Sequence, residues 1–253
     1  MHSSAHYRQL LARLPQIAVA ADQFEVLYSA QDFKRRILAL IASATRRIYL
    51  VALYLQDDEA GREILSALYA AKQRNPALDI KLFVDFHRAQ RGLIGKGKQG
   101  GNHLMYQAMA AEHEHQIEIY GVPVKGRELL GVLHLKGFIF DDVVLYSGAS
   151  LNDIYLHQQD RYRFDRYHQI TSPELARSMV NYVDDLFVKS DAVQRLDHSD
   201  IPSAKQLKGP IRRFKQSLRQ SQYRFSTMPV NTQEVAVTPM VGLGKRNNQL
   251  NLM

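Results

Sequence analysis

No cysteine and no tryptophan occur among the 253 residues. The first absence excludes disulfide cross-links, thiol nucleophiles and cysteine-ligated zinc, and agrees with a reducing, cytoplasmic setting. Long apolar runs are missing as well: no window approaches the roughly 20 apolar residues that span a bilayer as a helix. The opening "MHSSAHYRQLLARLPQIAVA" sets Arg8, Arg13 and Pro15 among its apolar residues, so it lacks the continuous apolar stretch of a signal peptide. Any contact with membrane is therefore expected from the surface, peripherally. Acidic residues are scarce in one place only. The first 200 residues balance 24 Lys and Arg against 24 Asp and Glu, and the whole net charge of +8 arises in the last 53. Between Ile201 and Gln233 stand Lys205, Lys208, Arg212, Arg213, Lys215, Arg219 and Arg224, without one carboxylate.

What is present is the composition of a globular protein, 45% hydrophobic and 23% charged, long enough for a full-sized core. The first half alternates strand and helix signals. "FEVLYS" (24–29) reads as a strand. The following 31–45 carries Phe33, Ile37, Leu40 and Ile41 on one helical face. "RRIYLVALYL" (46–55) has the β-rich apolar run of a strand buried on both sides, and the helical segment after it stops before Pro76. A strand at 79–86, a helix at 102–113 and a strand at 117–123 complete the alternation. The pattern predicts an α/β sandwich with a mixed, largely parallel central sheet flanked by helices. In the basic stretch, Ile211, Phe214, Leu218 and Phe225 recur at helical spacing. An amphipathic basic helix fits an anionic membrane surface, where each basic residue contributes about 1 kcal/mol. It fits equally a helix docked on its own domain.

Two segments carry candidate chemistry. "RAQRGLIGKGKQGGN" follows the third strand, where open α/β sheets place ligands; its five glycines free backbone amides beside Arg88, Arg91, Lys96 and Lys98, a combination suited to phosphate. It matches neither established nucleotide-loop pattern and reads otherwise as a surface loop. "HLKGFIFDDVVLYSGASLND" (134–153) is the second. His134 and Lys136 sit two apart on a predicted strand and so emerge on one face. A neutral imidazole can attack phosphorus while an ammonium stabilises the charge on the phosphoryl oxygens. Asp141 marks the hairpin turn, and Gly148, Ser150 and Asn152 close the return strand, offering a hydroxyl, an amide and backbone to an anion. Taken alone, the same residues also suit a buried histidine, a lysine reaching for solvent and an aspartate chosen for its turn. Further on, "YLHQQDRYRFDRYH" (155–168) places His157, Asp160, Arg163, Asp165, Arg166, Tyr167 and His168 either along a cleft or on a salt-bridged exposed strand.

"HLKGFIFD", followed after six residues by "GASLN", resembles the H-x-K-x4-D signature of the phospholipase D superfamily, with G-A-S-L-N where G-S-x-N is commoner. The surrounding "IYLVALYLQDDEAGREILSALYAAKQRNP", "VDFHRAQRGLIG", "YGVP", "LYSGASLNDIYLHQQDRYRFDRYH" and "VTPMVGLGK" are similar to the Gram-negative type of phosphatidylserine synthase, from about Leu10 to Lys245. That resemblance implies a phospholipase D-like fold and a two-step transfer from CDP-diacylglycerol to L-serine. His134 would attack phosphorus and expel CMP; serine's hydroxyl would then displace the histidine. Lys136 would hold the phosphoryl oxygens and Asp141 complete the motif. Ser150, Asn152, Arg88, Arg91, Arg166 and Tyr167 would contact substrate, with a second histidine moving protons. No cofactor or metal is expected, since cationic side chains supply the electrostatics.

The family uses two such motifs, and no other histidine here has a lysine two residues on. "VAVTPMVGLGKRNNQLNLM" repeats the strand-then-helix opening of "FEVLYSAQDFKRRILALI". The organisation expected is a first repeat over 1–200, a basic connector over 201–233 and the start of a second repeat over 234–253. The second motif would come from that missing repeat or from a homodimer. Two other readings stand beside the synthase: a superfamily nuclease or phosphodiesterase working as a dimer, since phosphate contacts dominate nucleic-acid affinity, and an inert fragment binding lipid or ribosomal RNA through 201–233.

Overall fold

The computed structural model describes residues 9, 12–91, 100–124, 133, 135–246 and 249–252. Its centre is an eight-stranded sheet. In chain order the strands are β1 (Ile17–Ala20), β2 (Phe24–Leu27), β3 (Arg47–Val51), β4 (Asp79–Asp85), β5 (Glu118–Val122), β6 (Gly137–Phe140), β7 (Val143–Ser147), β8 (Tyr167–Thr171), β9 (Gln194–Arg195), β10 (Glu234–Val237), β11 (Gly242–Arg246) and β12 (Gln249–Leu252). The helices are α1 (Ala30–Ser43), α2 (Glu59–Arg74), α3 (Phe86–Gln90), α4 (His103–Glu112), α5 (Pro173–Val183) and α6 (Lys208–Gln220), with a π-helical turn at Asp184–Val188 after α5.

The sheet order is β2-β8-β7-β6-β3-β4-β5-β9. Only β3–β4 and β4–β5 pair in parallel. The other neighbours are antiparallel, so the sheet is mixed and the expected largely parallel arrangement is confined to its middle. The reason lies in the connections. Helices α2 and α4 cross over between parallel strands, as β3-α2-β4 and β4-α4-β5 require. The two-residue turn at Asp141–Asp142 allows only an antiparallel return, and β8 comes back the same way.

The apolar runs read as doubly buried strands are buried on both sides. In β3, Ile48 and Leu50 join the core under α1, α2 and α4, while Tyr49 and Val51 join the core under α5 and α6. Strand β6 divides likewise, Phe138 and Phe140 to the first layer and Ile139 to the second, the period of two that a pleated strand imposes. Serine caps begin α1 and α5: Ser29 accepts from the Asp32 amide and Ser172 from the Leu175 amide.

Helix α6 settles one of the alternatives left by its sequence. Phe214 is buried against Phe187 of the π-helical turn, ring centroids 6.0 Å apart, with Ile211, Leu218, Tyr223 and Phe225 packed on the same core. The apolar face is thus spent on the protein's own domain, leaving Arg212, Lys215 and Arg219 around one shallow polar groove. Past it, β10 pairs with β1 and β11 pairs with β12. Where a helix was expected after the strand of the 234–253 segment, the described residues form this antiparallel pair.

Candidate active site

The middle of the sheet brings several chain segments to one edge. Gly137 opens β6 opposite Val51 at the carboxyl end of β3, and Val51 in turn neighbours Phe83 near the end of β4. Lys136, just before β6 rather than inside a strand as expected, is therefore delivered to the end of the sheet where β3 and β4 finish. His134 lies outside the described residues, as do Lys96 and Lys98 of the glycine-rich loop.

Lys136 is partly buried, and its Nζ donates to the buried Ser150 Oγ at 3.2 Å. Burial lowers its pKa to about 8, opposed by the nearby Asp165 carboxylate. The ammonium is thus held charged at neutral pH in a desolvated place, with one neutral acceptor and one counter-charge. The Asp165 carboxylate packs against Gly148: a Cβ there would stand 2.8 Å from it. A larger residue just past β7 would push the carboxylate aside, so glycine here lets Asp165 approach this closely.

Beside the lysine, Asn152 Nδ2 donates to the Tyr54 hydroxyl at 3.4 Å, and the Arg88 guanidinium lies over the Tyr54 ring, 5.2 Å from its centre. Burial and the neighbouring Tyr155 push the Tyr54 pKa up, which keeps its hydroxyl protonated. Arg163 lies over Tyr155 and donates to its hydroxyl at 3.4 Å. Arg88 owes its place to Asp85, fully buried at the end of β4. One carboxylate oxygen caps α3 by accepting from the Arg88 amide at 2.7 Å, and the other accepts from the Leu133 amide at 2.9 Å. The carboxylate thereby ties the arginine helix to the residue preceding His134. Burial raises the Asp85 pKa against these two amides.

The structure thus gathers Lys136, Ser150, Asn152 and Arg88 at one edge. Arg91 is exposed just beyond α3, and Arg166 is exposed next to Asp165. Two other sequence candidates are elsewhere. Tyr167 is a core residue stacked on Phe33 at 4.6 Å, so it is not presented to a ligand. Asp141 sits at the opposite end of β6, five residues and roughly 16 Å from Lys136 at about 3.3 Å per residue. Its backbone is left-handed, φ 52°, and its carboxylate accepts from the amides of Thr45, Arg46 and Arg47 at 2.8–2.9 Å. Although partial burial opposes it, these amides hold its pKa below the usual carboxylate range. Asp141 fastens the hairpin to the start of β3.

Reasoning from sequence missed Tyr54 and Asp85. The signal for Asp85 was an acid closing a strand immediately before a short helix, the pattern of an N-cap. Tyr54 sat unnoticed in a run read only as apolar strand.

A family model described as "Cardiolipin synthase, PLD-like domain" matches residues 37–185, more than half of the chain. The chain belongs to this PLD-like family. Within it, the chain is 48% identical over 240 residues to the CDP-diacylglycerol–serine O-phosphatidyltransferase of Escherichia coli, covering 94% of this chain and 53% of the relative. It is 45% identical over 247 residues to the enzyme of the same name from Haemophilus influenzae, covering 96% of this chain and 54% of that one. The crystal structure of the Haemophilus influenzae phosphatidylserine synthase superposes with a TM-score of 0.82 at 42% identity, over 94% of this chain and 51% of that one. The resemblance drawn from the motifs is thereby borne out. The chain spans about half the length of the curated relatives it matches.

Lys136→Met gives a stability test of the PLD-like site. Because the folded-state pKa, about 8, lies below the ordinary 10.5, wild type is penalised below pH 8 and regains stability as pH rises from there to 10.5. The variant should therefore be the more stable protein at pH 7, by at most roughly 3 kcal/mol. That advantage should shrink through pH 8–10.5 in denaturant titrations. A destabilised variant at pH 7 would contradict the buried-ammonium assignment.

Proposed function

We propose that this chain carries one half of the active site of a phosphatidyltransferase that moves the phosphatidyl group of CDP-diacylglycerol to L-serine. The observation that carries the reading is the partly buried Lys136 ammonium beside Ser150 and Asp165, two residues on from His134, in a PLD-like chain close to two enzymes named for that reaction. In this scheme an imidazole nitrogen of His134 forms a bond to the phosphatidyl phosphorus as the bond to the CMP oxygen breaks. Serine's hydroxyl oxygen then attacks the same phosphorus, breaking the phosphorus–nitrogen bond and regenerating the imidazole. A second histidine gives a proton to departing CMP and takes one from serine. Lys136 and Ser150 face the charge that grows on the phosphoryl oxygens; Arg88, over Tyr54, and Arg91 serve the remaining phosphate. Asn152, beside Tyr54, and Arg166 also contact the substrate, while Asp141 acts at a distance by fixing the hairpin.

The second histidine belongs to a second H-x-K motif, supplied by the repeat that the longer relatives have length for or by a second copy of the chain. CMP release from CDP-diacylglycerol plus serine tests this. Release is expected only when a second motif is supplied, and should fall roughly a thousandfold or more in His134→Asn. Robust release by the isolated monomer, or an unchanged rate in the variant, would contradict it.

The substrate is a lipid, and no helix among the described residues is long and apolar enough to cross a membrane. We therefore assign residues 201–233 to contact with the anionic surface of a membrane from its cytoplasmic side. Since the apolar face of α6 is buried in the domain, the contact is electrostatic, through Arg212, Arg219 and their neighbours. Reversing both arginines to glutamate should weaken binding to phosphatidylglycerol vesicles at least about tenfold, at about 1 kcal/mol per basic residue removed. Wild-type binding should also fall as salt rises. Binding indifferent to salt and to both reversals would rule out this surface.

A further inference from the structure

Asp58, in the turn between β3 and α2, and Asp153, just past Asn152, are a pair of carboxylates that the reaction scheme does not use. We propose that Asp58 and Asp153 are positioning residues, a reciprocal clamp that holds the Ser150–Asn152 segment against Lys136. The inference rests on the reading of Lys136 and Ser150 as the pair that receives the phosphoryl group.

The clamp is built from three hydrogen bonds across the first turn of α2. Asp58 Oδ1 accepts from the Gly61 amide at 3.0 Å, and its Oδ2 accepts from the Asp153 amide at 3.0 Å. Asp153 Oδ1 accepts from the Ala60 amide at 2.8 Å. Each segment thus supplies a carboxylate that binds the other segment or the helix start it adjoins. Alongside, Leu55 and Leu151 form an isolated parallel bridge with both side chains fully buried. Its backbone bonds run from the Gln56 amide to the Leu151 carbonyl at 2.9 Å and from the Leu151 amide to the Tyr54 carbonyl at 3.3 Å. Ser150 stands one residue before this bridge and Asn152 one after, so neither can shift without breaking it. Gly61 shows how closely the turn is drawn in: a Cβ there would lie 1.9 Å from the Gln56 carbonyl oxygen.

A helix cap alone does not account for Asp58. The chain uses serine where it needs only a cap, at Ser29 and Ser172, and serine caps about as well as aspartate. Placing a carboxylate here is costly: burial is the largest influence and raises the Asp58 pKa to about 6, with the Asp153 and Gly61 amides opposing and the charge of Asp153 adding to it. What aspartate has and serine lacks is two acceptor oxygens that work at once. One serves α2 and the other serves the segment that carries Ser150. The same turn reaches the opposite wall, where the Asn102 side-chain oxygen accepts from Gln56 Nε2 at 2.9 Å and the Asp57 amide at 3.1 Å. Asn102 is the last residue of the glycine-rich segment, so the same turn also binds that segment's described end.

Asp58→Ser and Asp58→Asn test the clamp, because each keeps an acceptor for the Gly61 amide and removes the second oxygen. The readout is the titration of Lys136 by NMR in lysine-labelled protein, with denaturant unfolding run beside it. Both variants should unfold near the wild-type midpoint, while the Lys136 pKa rises from about 8 toward the ordinary lysine value as the covering segment loosens. The direction is diagnostic, since loss of a nearby negative charge by itself would push that pKa down. In the enzyme complete with its second motif, kcat should drop on the order of tenfold to a hundredfold while KM for CDP-diacylglycerol holds, the signature of a misplaced reacting group. An unmoved or lowered Lys136 pKa in both variants at retained stability overturns the clamp. If wild type released no CMP even with a second motif supplied, the functional reading would fall while the titration still decided the clamp.

Discussion

A lysine ammonium costs several kcal/mol to bury unless something nearby replaces its water. At the end of the central sheet Lys136 is given one hydroxyl and one carboxylate, Ser150 and Asp165. That is enough to keep it charged at neutral pH, and among the described residues it leaves the ammonium with fewer acceptors than its three donors can use. An ammonium in that state favours an arriving anion, and most of the fold around it can be understood as what is needed to hold it there. The parallel strands β3 and β4 end at this edge, the antiparallel hairpin returns Gly148 and Ser150 to it, and Asp85 and Asp58 tie in the flanking segments.

The architecture was legible because the strands β3, β4 and β6 are apolar on both faces, and such runs have few places to go except the middle of a sheet. The helices α1, α2 and α4 announced themselves by period and by their stops. The sheet's antiparallel half was harder to read, because residues 142–171 carry no helix and the direction of a strand is decided by its connection rather than by its own composition. Lys136 and Ser150 were visible through motif spacing. The contacts that frame them were not: Tyr54 met Asn152, and Asp58 met Asp153, across about a hundred residues of sequence, and no local pattern reports a contact formed by two turns folding onto one edge. Asp141 shows the reverse case, a motif residue whose spacing suggested chemistry and whose carboxylate is committed to three amides at the far end of the hairpin.

The basic segment shows how one pattern serves two ends. An amphipathic helix with a cationic face suits a membrane and a protein surface equally, and burial of Phe214 against Phe187 decides how its apolar side is used here. The cationic side stays outward, on a domain whose remaining charge is balanced. Under the proposed function that division would let electrostatic attraction bring the domain to an anionic surface without exposing a sticky apolar face.

The affinity of the PLD-like chain for CMP as a function of pH is the measurement that bears most directly on the buried ammonium. If Lys136 receives the phosphate, affinity should stay level up to about pH 8 and then fall about tenfold per pH unit as the lysine loses its proton. Affinity that stays flat to pH 10 would show that the phosphate is held by some other group and would contradict the account.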